Sequence, residues 1–339
     1  MNHRLRIGLH LIGIGTFDVN RPGNVQGDEL VARCWSKYLA RHPAVGRIVL
    51  YGQGQPHPGD LDLVIHFHPD LEGHPAARNF LYLQNVFPAE LFPGGTLGVF
   101  QKVKHRFDGF LFTSQRLMRA CAPGAVIPFA TDPELFRPPA GGAPATVPGG
   151  PVPKAPTTAS PSPNAGSGPT RSGPRPGGPA VTFVGNNIRG ERCNQRYLVP
   201  ALPFGLAIYG NNAWQAPLVA ACRGKVPMEE LPALYAASAV NLNAHIPDHV
   251  AFDTLNQRLY DILACGGFVI SDRIDALESV FEDAVLTTDG DDDLWAKLVC
   301  SLADGDDRRR RADKGRRLVL DRHTYAHRSA AVVEFLQTA

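Results

Sequence analysis

Two α/β domains with mainly parallel sheets, one on each side of a long tether, are the architecture this sequence predicts. Three observations lead there. The chain has 339 residues, a length that suits two domains, each large enough to bury its own core. Short β-branched or apolar runs alternate with helical patterns in both halves, as right-handed βαβ units do. Between the halves, from Pro138 to Ala180, lie 13 of the 30 prolines and 9 of the 34 glycines, with no acidic and no aromatic residue. That stretch has too little apolar surface to offset the entropy of ordering, so an extended, disordered tether is expected. The expected boundaries are 1–137, 138–180 and 181–339.

The strands follow in order. In the first half the runs are Leu5–Ile12, Arg47–Tyr51, Leu61–Phe67, Asn79–Leu83, Gly109–Thr113 and Ala125–Phe129, with a helical pattern over Asp28–Arg41. In the second half they are Val181–Val184, Leu206–Tyr209, Val240–Asn243, Phe268–Ser271 and Val285–Thr287. Both halves therefore read as Rossmann-like. Ligands of open parallel sheets bind beyond the carboxyl ends of the strands, so two such edges facing each other would form a cleft.

Composition narrows the function classes. With 34 basic against 32 acidic side chains the net charge is +2, too little for a nucleic-acid binder on global grounds. The six cysteines contain no C-x-x-C pair, which excludes a zinc knuckle or disulfide framework on spacing and suits a reducing cytoplasm. The apolar run near the N-terminus is broken by Gly13 and Gly15. It reads as a first strand, and no stretch approaches the ~20 apolar residues that span a bilayer.

The densest signal runs from Phe252 to Asp272. Phe252, Leu255, Leu259, Ile262 and Leu263 recur at helical spacing, and Gly266-Gly267 stop the helix before a strand. A helix N-terminus at the cleft suits an anion, and Arg258 adds a fork of donors. Asn256, Arg258, Tyr260, Asp261, Ala264, Cys265, Gly266, Gly267 and Phe268 stand in the register N-x-R-x-[FY]-E-x-x-A-C-G-G-F. In this the chain resembles the GT-B glycosyltransferases, in particular the spore-maturation (CgeB-like) branch related to glycosyltransferase family 4.

The resemblance covers about residues 181–336 and implies a nucleotide-sugar donor held by the second domain. Related retaining enzymes carry two glutamates seven residues apart, the first near the donor sugar and the second on the ribose. Asp253 and Asp261 occupy that spacing, each one methylene shorter. By this likeness Asp253 would orient the sugar, Asp261 would hold the ribose, and Arg258 with Arg192 would hold the phosphates. Gly185 and Asn186 resemble the family's opening loop by the diphosphate, and Tyr209 and Val226 the region along the base. The blander reading makes Asp253 a helix cap and Arg258–Asp261 a surface pair.

The first half is less specific. Gly13, Gly15 and Thr16 follow the first strand and would line the acceptor side. A dinucleotide reading fails for want of the third glycine and of an acid ending the second strand. His66 and His68 end the third strand. By resemblance His68 would touch the donor sugar with His66 behind it, while two structural histidines are the plainer alternative.

Two further features have ordinary explanations. Asp289-Gly290-Asp291 forms a D-x-D that suits a helix N-terminus better than a metal. The basic run Arg308–Arg311 with Lys314, Arg316 and Arg317 suits a solvated helix face, with weak peripheral contact to anionic lipid as the alternative.

The sum is a cytoplasmic, metal-independent glycosyltransferase, retaining by resemblance. It would need no bound cofactor, the nucleotide sugar being a co-substrate, and its acceptor would be a glycan, protein or small molecule. A nucleotide-sugar epimerase or hydrolase, or a catalytically silent nucleotide-sugar binder, are the alternatives.

Overall fold

The computed structural model describes residues 4–15, 27–139, 179–210 and 214–339. Thr16 and the tether's residues 140–178 lie outside the described residues.

The first sheet holds six parallel strands: β1 (Leu5–Leu11), β2 (Val45–Gly52), β3 (Leu63–His66), β4 (Arg78–Leu83), β5 (Gly109–Phe112) and β6 (Ala125–Val126), in the order β2-β1-β3-β4-β5-β6. Helix α1 (Gly27–Leu39) packs on it through Leu30, Val31, Trp35 and Leu39. The second sheet holds β7 (Val181–Val184), β8 (Leu206–Tyr209), β9 (Val240–Asn243), β10 (Val269–Asp272) and β11 (Val285–Thr288), in the order β11-β10-β9-β7-β8, again all parallel. Each predicted strand is present. Central strands of a parallel sheet are covered on both faces, which is why β3 and β9 are buried at all four positions.

Strand order reverses direction between β1 and β3 in the first sheet and between β7 and β9 in the second. Such switch points open a crevice at the carboxyl ends of the strands.

Among the helices, α2 (Gly95–Val103) and α3 (Gln115–Cys121) complete the first domain. The second carries α4 (Glu191–Tyr197), α5 (Leu231–Ala237), α6 (Pro247–Ala251), α7 (Gln257–Ala264), α8 (Ala276–Phe281), α9 (Asp291–Ala303) and α10 (Gly305–Arg322). Helix α7 sinks Leu259, Ile262 and Leu263 into the core, as its periodicity predicts, and Tyr260 with them, although the periodicity puts Tyr260 on the polar side.

The expected boundary of the second domain needs one correction. The final helix, α11 (Tyr325–Thr338), returns to the first sheet, where its apolar face meets α1 and Phe335 meets Phe80 edge to face. Arg328 fixes the return by donating to Phe129 O at 3.1 Å.

The two charge-rich features are accounted for locally. Asp293 caps the turn before α9, accepting from Thr288 Oγ1 and Asp289 N, while Asp289 pairs with Arg273. On α10, Arg310, Arg311 and Lys314 engage Asp283, Arg309 engages Asp306, and buried Arg308 donates to Ser301 O. A lipid-facing basic patch is thus largely neutralised by its own acids. No helix among the described residues is long and apolar enough to cross a membrane.

Candidate active site

A cavity of about 370 Å³ opens at the carboxyl end of β7. It is lined by the cationic Arg189, Arg258 and Lys225 and by the apolar or aromatic Tyr209, Val226 and Met228. Gly27, at the start of α1, closes it from the first domain. A larger groove, about 670 Å³, runs along the outer side of α8, but its arginines, Arg273 and Arg311, are already paired with acids. The smaller cavity is therefore the candidate site.

Arg189 is 6% exposed and donates through Nε to Ala244 O at 2.5 Å and through Nη1 to Asn186 O at 2.8 Å. Arg258 donates from Nη1 to Asn243 Oδ1 at 3.2 Å. Both guanidiniums lie over the Phe183 ring, 4.9 and 5.3 Å from its centroid. These partners are all neutral; among the described residues neither arginine has a carboxylate partner. Burial, reinforced by the neighbouring Arg258 charge, lowers Arg189 to about 9. Burial likewise lowers Arg258, with Asp261 and Asp272 offsetting in part. Two desolvated like charges side by side are costly without an anion between them.

Gly185 makes this approach possible. A Cβ there would stand 2.7 Å from Arg258 Nη2 and 3.3 Å from Arg189 Nη2. Behind the arginines a hydrogen-bonded chain fixes Asn243: it accepts from Asn256 Nδ2 at 2.9 Å and donates to Ser271 Oγ at 2.9 Å. Ser271 donates to Asp272, which accepts from His245 Nδ1 at 2.6 Å.

The remaining expected residues fall as follows. Asn186 and Tyr209 join Gly185, Val226 and Arg258 around the cavity. Asn256 is the N-cap of α7, its Oδ1 accepting from Leu259 N, and meets the site only through Asn243. Arg192 is exposed on α4 and does not line the cavity, whereas Arg189, three residues earlier in the loop before α4, does. Sequence alone held no signal for it, since Arg189 is fixed over Gly185 by Ala244 O and Asn186 O, which become neighbours only in the fold.

The two acids are engaged elsewhere. Asp253, at φ 56°, accepts from Ala276 N at 2.8 Å and so caps α8, with Arg116 3.8 Å away. Asp261 is 5% exposed and accepts from Thr131 Oγ1 at 2.8 Å, joining α7 to the first domain. Burial pushes its carboxyl well up. Neither carboxylate faces the cavity, because the loop before α7 spends Asp253 on a neighbouring helix and the last turn of α7 points Asp261 inward.

On the first-domain side, Gly15 donates its N–H to buried Glu29 at 3.0 Å, and Gly13 precedes it. His66 is fully buried, bonded to Asn79 Oδ1 at 2.9 Å and to His10 Nδ1 at 3.1 Å, so it is structural. His68 is partly exposed, its Nδ1 accepting from Asp70 N, and burial lowers it. Among the described residues no cluster of three or more His, Cys, Asp or Glu is arranged to hold a metal ion.

Two parallel-sheet α/β domains, with a cavity at the carboxyl end of β7 that Gly27 of the first domain also lines, make the GT-B architecture. The comparisons agree. Residues 192–334 match the family described as glycosyl transferase-like. In fold the chain is similar to HepE from Anabaena, solved with UDP and glucose, at TM-score 0.62 and 13% identity over 99% of this chain and 100% of that one. It is similar to a sucrose-phosphate synthase from Thermosynechococcus elongatus at TM-score 0.61 and 13% identity, over 98% and 99%. AviGT4, a glycosyltransferase involved in avilamycin A biosynthesis, aligns at TM-score 0.58 and 14% identity over 98% of each chain. No curated protein matches the sequence.

Proposed function

We propose that the chain is a glycosyltransferase that takes a sugar from a nucleoside-diphosphate donor bound at the Arg189–Arg258 cavity. The observation that carries this is the pair of guanidiniums facing one cavity with, among the described residues, only neutral partners. A diphosphate supplies the missing counter-charge, and the charge it gains on departure is what preorganised cations stabilise best in a water-poor site. Tyr209 and Val226 in the lining suit a base. UDP is the first donor nucleotide to try, since HepE was solved with it.

The register from Asn256 to Phe268 supports the CgeB-like branch, and the reading carries a cytoplasmic, metal-independent enzyme whose acceptor is a glycan, a protein or a small molecule. Retention of configuration was expected from Asp253 and Asp261, whose carboxylates are occupied by α8 and by Thr131. That expectation loses its support.

Calorimetry with UDP tests the donor site. The wild type should bind, and Arg258→Ala should bind about 10- to 100-fold more weakly, the loss of charged hydrogen bonds worth about 1.5–3 kcal/mol, while Arg192→Ala stays within about twofold. No binding of UDP, GDP or their sugars would sink the reading. Product analysis with and without acceptor separates transfer from hydrolysis or epimerisation, and binding without turnover would leave a silent binder.

A further inference from the structure

Beyond the carboxyl end of β9 the chain carries two histidines, His245 just after the strand and His249 on α6. Their rings stand edge to face, 6.3 Å between centroids. The same stretch holds the donor arginines: Asn243, the last residue of β9, accepts from Arg258, and Ala244 O accepts from Arg189. On the first-domain side the His249 ring meets Phe129, 6.4 Å between centroids.

Both rings lack hydrogen bonds that the fold could have supplied. His245 Nδ1 lies 2.6 Å from Asp272 Oδ1. Burial pushes the Asp272 carboxyl up, but His245 and Ser271 outweigh it and hold it below its usual range. The carboxylate therefore accepts and His245 Nδ1 carries the proton. That leaves His245 Nε2 with a lone pair, buried and without a partner. His249 is half-buried, and neither of its ring nitrogens has a hydrogen-bond partner among the described residues. Unpaired nitrogens so enclosed cost stability that folding alone does not require.

The charges around His249 keep it neutral. Burial lowers it to about 3, and His245, Arg189 and Arg258 push the same way, with Asp272 opposing. The other neighbours contribute little. Asp248, on the same helix, is engaged by Thr96 Oγ1 at 2.8 Å, and the Cys193 thiol beside His245 O is kept protonated by burial. Phe129 brings no charge. Two of the three cations that keep the proton off His249 are thus the arginines that line the donor cavity. A diphosphate placed against them cancels their effect.

We infer that His249 is a proton-coupled positioning residue of the donor site, whose imidazole takes up one proton when a nucleoside-diphosphate sugar binds. The inference rests on the donor reading above. In the binding step the proton comes from solvent and settles on a ring nitrogen of His249, and no bond of the donor breaks. The imidazolium acts through Arg189 and Arg258, adding a positive charge to the field in which the diphosphate later departs. Proton and donor then favour each other's binding. The extra affinity is full at low pH and is lost as pH rises through the value His249 has in the complex.

The test uses the full chain with UDP-glucose and GDP-glucose, whose esterified diphosphates have no proton to gain in the range used. Calorimetry at about pH 5.5 and about pH 7.5, in buffers of different ionisation enthalpy, counts the protons taken up and reads Kd. At about pH 5.5 the wild type should take up roughly 0.5–1 proton per donor bound, and Kd should rise by up to about tenfold per pH unit. His249→Gln and His249→Asn should take up less than about 0.2 proton and bind with a Kd that pH changes by less than about twofold. A purely structural His249 would instead weaken binding equally at both pH values and leave the proton count unchanged. Donor binding by the wild type with less than about 0.2 proton overturns the inference, a result that needs no variant to fold. So does full uptake that persists in either variant. Failure of the wild type to bind either sugar nucleotide overturns the donor reading instead, and the proton coupling with it.

Discussion

At the scale of single residues, the donor cavity depends on a side chain that is missing. The atom nearest a Cβ at Gly185 is the far end of the Arg258 side chain, so Gly185→Ala would displace a guanidinium rather than the backbone. The expected outcome is a UDP affinity about tenfold lower, or about 1.4 kcal/mol, with an unchanged melting temperature. Calorimetry beside a thermal melt checks both halves of that statement. Arg258 and Gly185 were legible because each stands at a motif position, but the choice of Arg192 over Arg189 was not decidable from sequence. Three arginines follow β7, and which one folds back depends on Ala244 O and Asn186 O, groups that become neighbours only in the fold.

At the scale of elements, Asp253 is a cap. Its Oδ1 supplies an acceptor for the first turn of α8, and the strained φ of 56° is what aims it there. Asp253→Ala should cost about 1 kcal/mol, within the range for lost caps, and lower the melting temperature by about 2–4 °C. UDP affinity should stay within about twofold. A large affinity loss with no thermal change would restore Asp253 to the donor. Strands were readable throughout, since a buried parallel strand is a short apolar run whatever its neighbours. The roles of Asp253 and Asp261 were not, because spacing along the chain says nothing of what α8 and Thr131 bring to meet them.

At the scale of the whole molecule, acid stability should be set by enclosed histidines. Burial lowers His66 to about 4 and His10 to about 3, with neighbouring histidines adding to the effect on both. Asn79 donates both Nδ2 hydrogens to His74 O and Ala77 O, so its Oδ1 must accept, and His66 Nε2 must carry the proton. His66 Nδ1 then accepts from His10. Both rings are neutral in the fold, while in the unfolded chain they take up protons near pH 6.5. The folded pKa lies below the unfolded one, so this stability is full above pH 6.5 and is lost as pH falls toward 4. At pH 5 the loss from His66 alone is about 2 kcal/mol. Melting temperatures between pH 7.5 and 5 should drop accordingly, and His66→Gln should flatten the dependence.

The return of α11 to the first sheet means that two chain crossings, not one, join the domains. The second is bonded to the first domain: Thr131 donates its N–H to His323 O at 3.1 Å, and Tyr325 donates to Thr131 O at 3.0 Å. A single crossing would let the second domain swivel about its own bond axis. A second crossing held by backbone bonds on both sides of Thr324 acts as a strap, which restrains twist. That strap keeps Gly27 of the first domain and Arg258 of the second in one alignment across the cavity they both line.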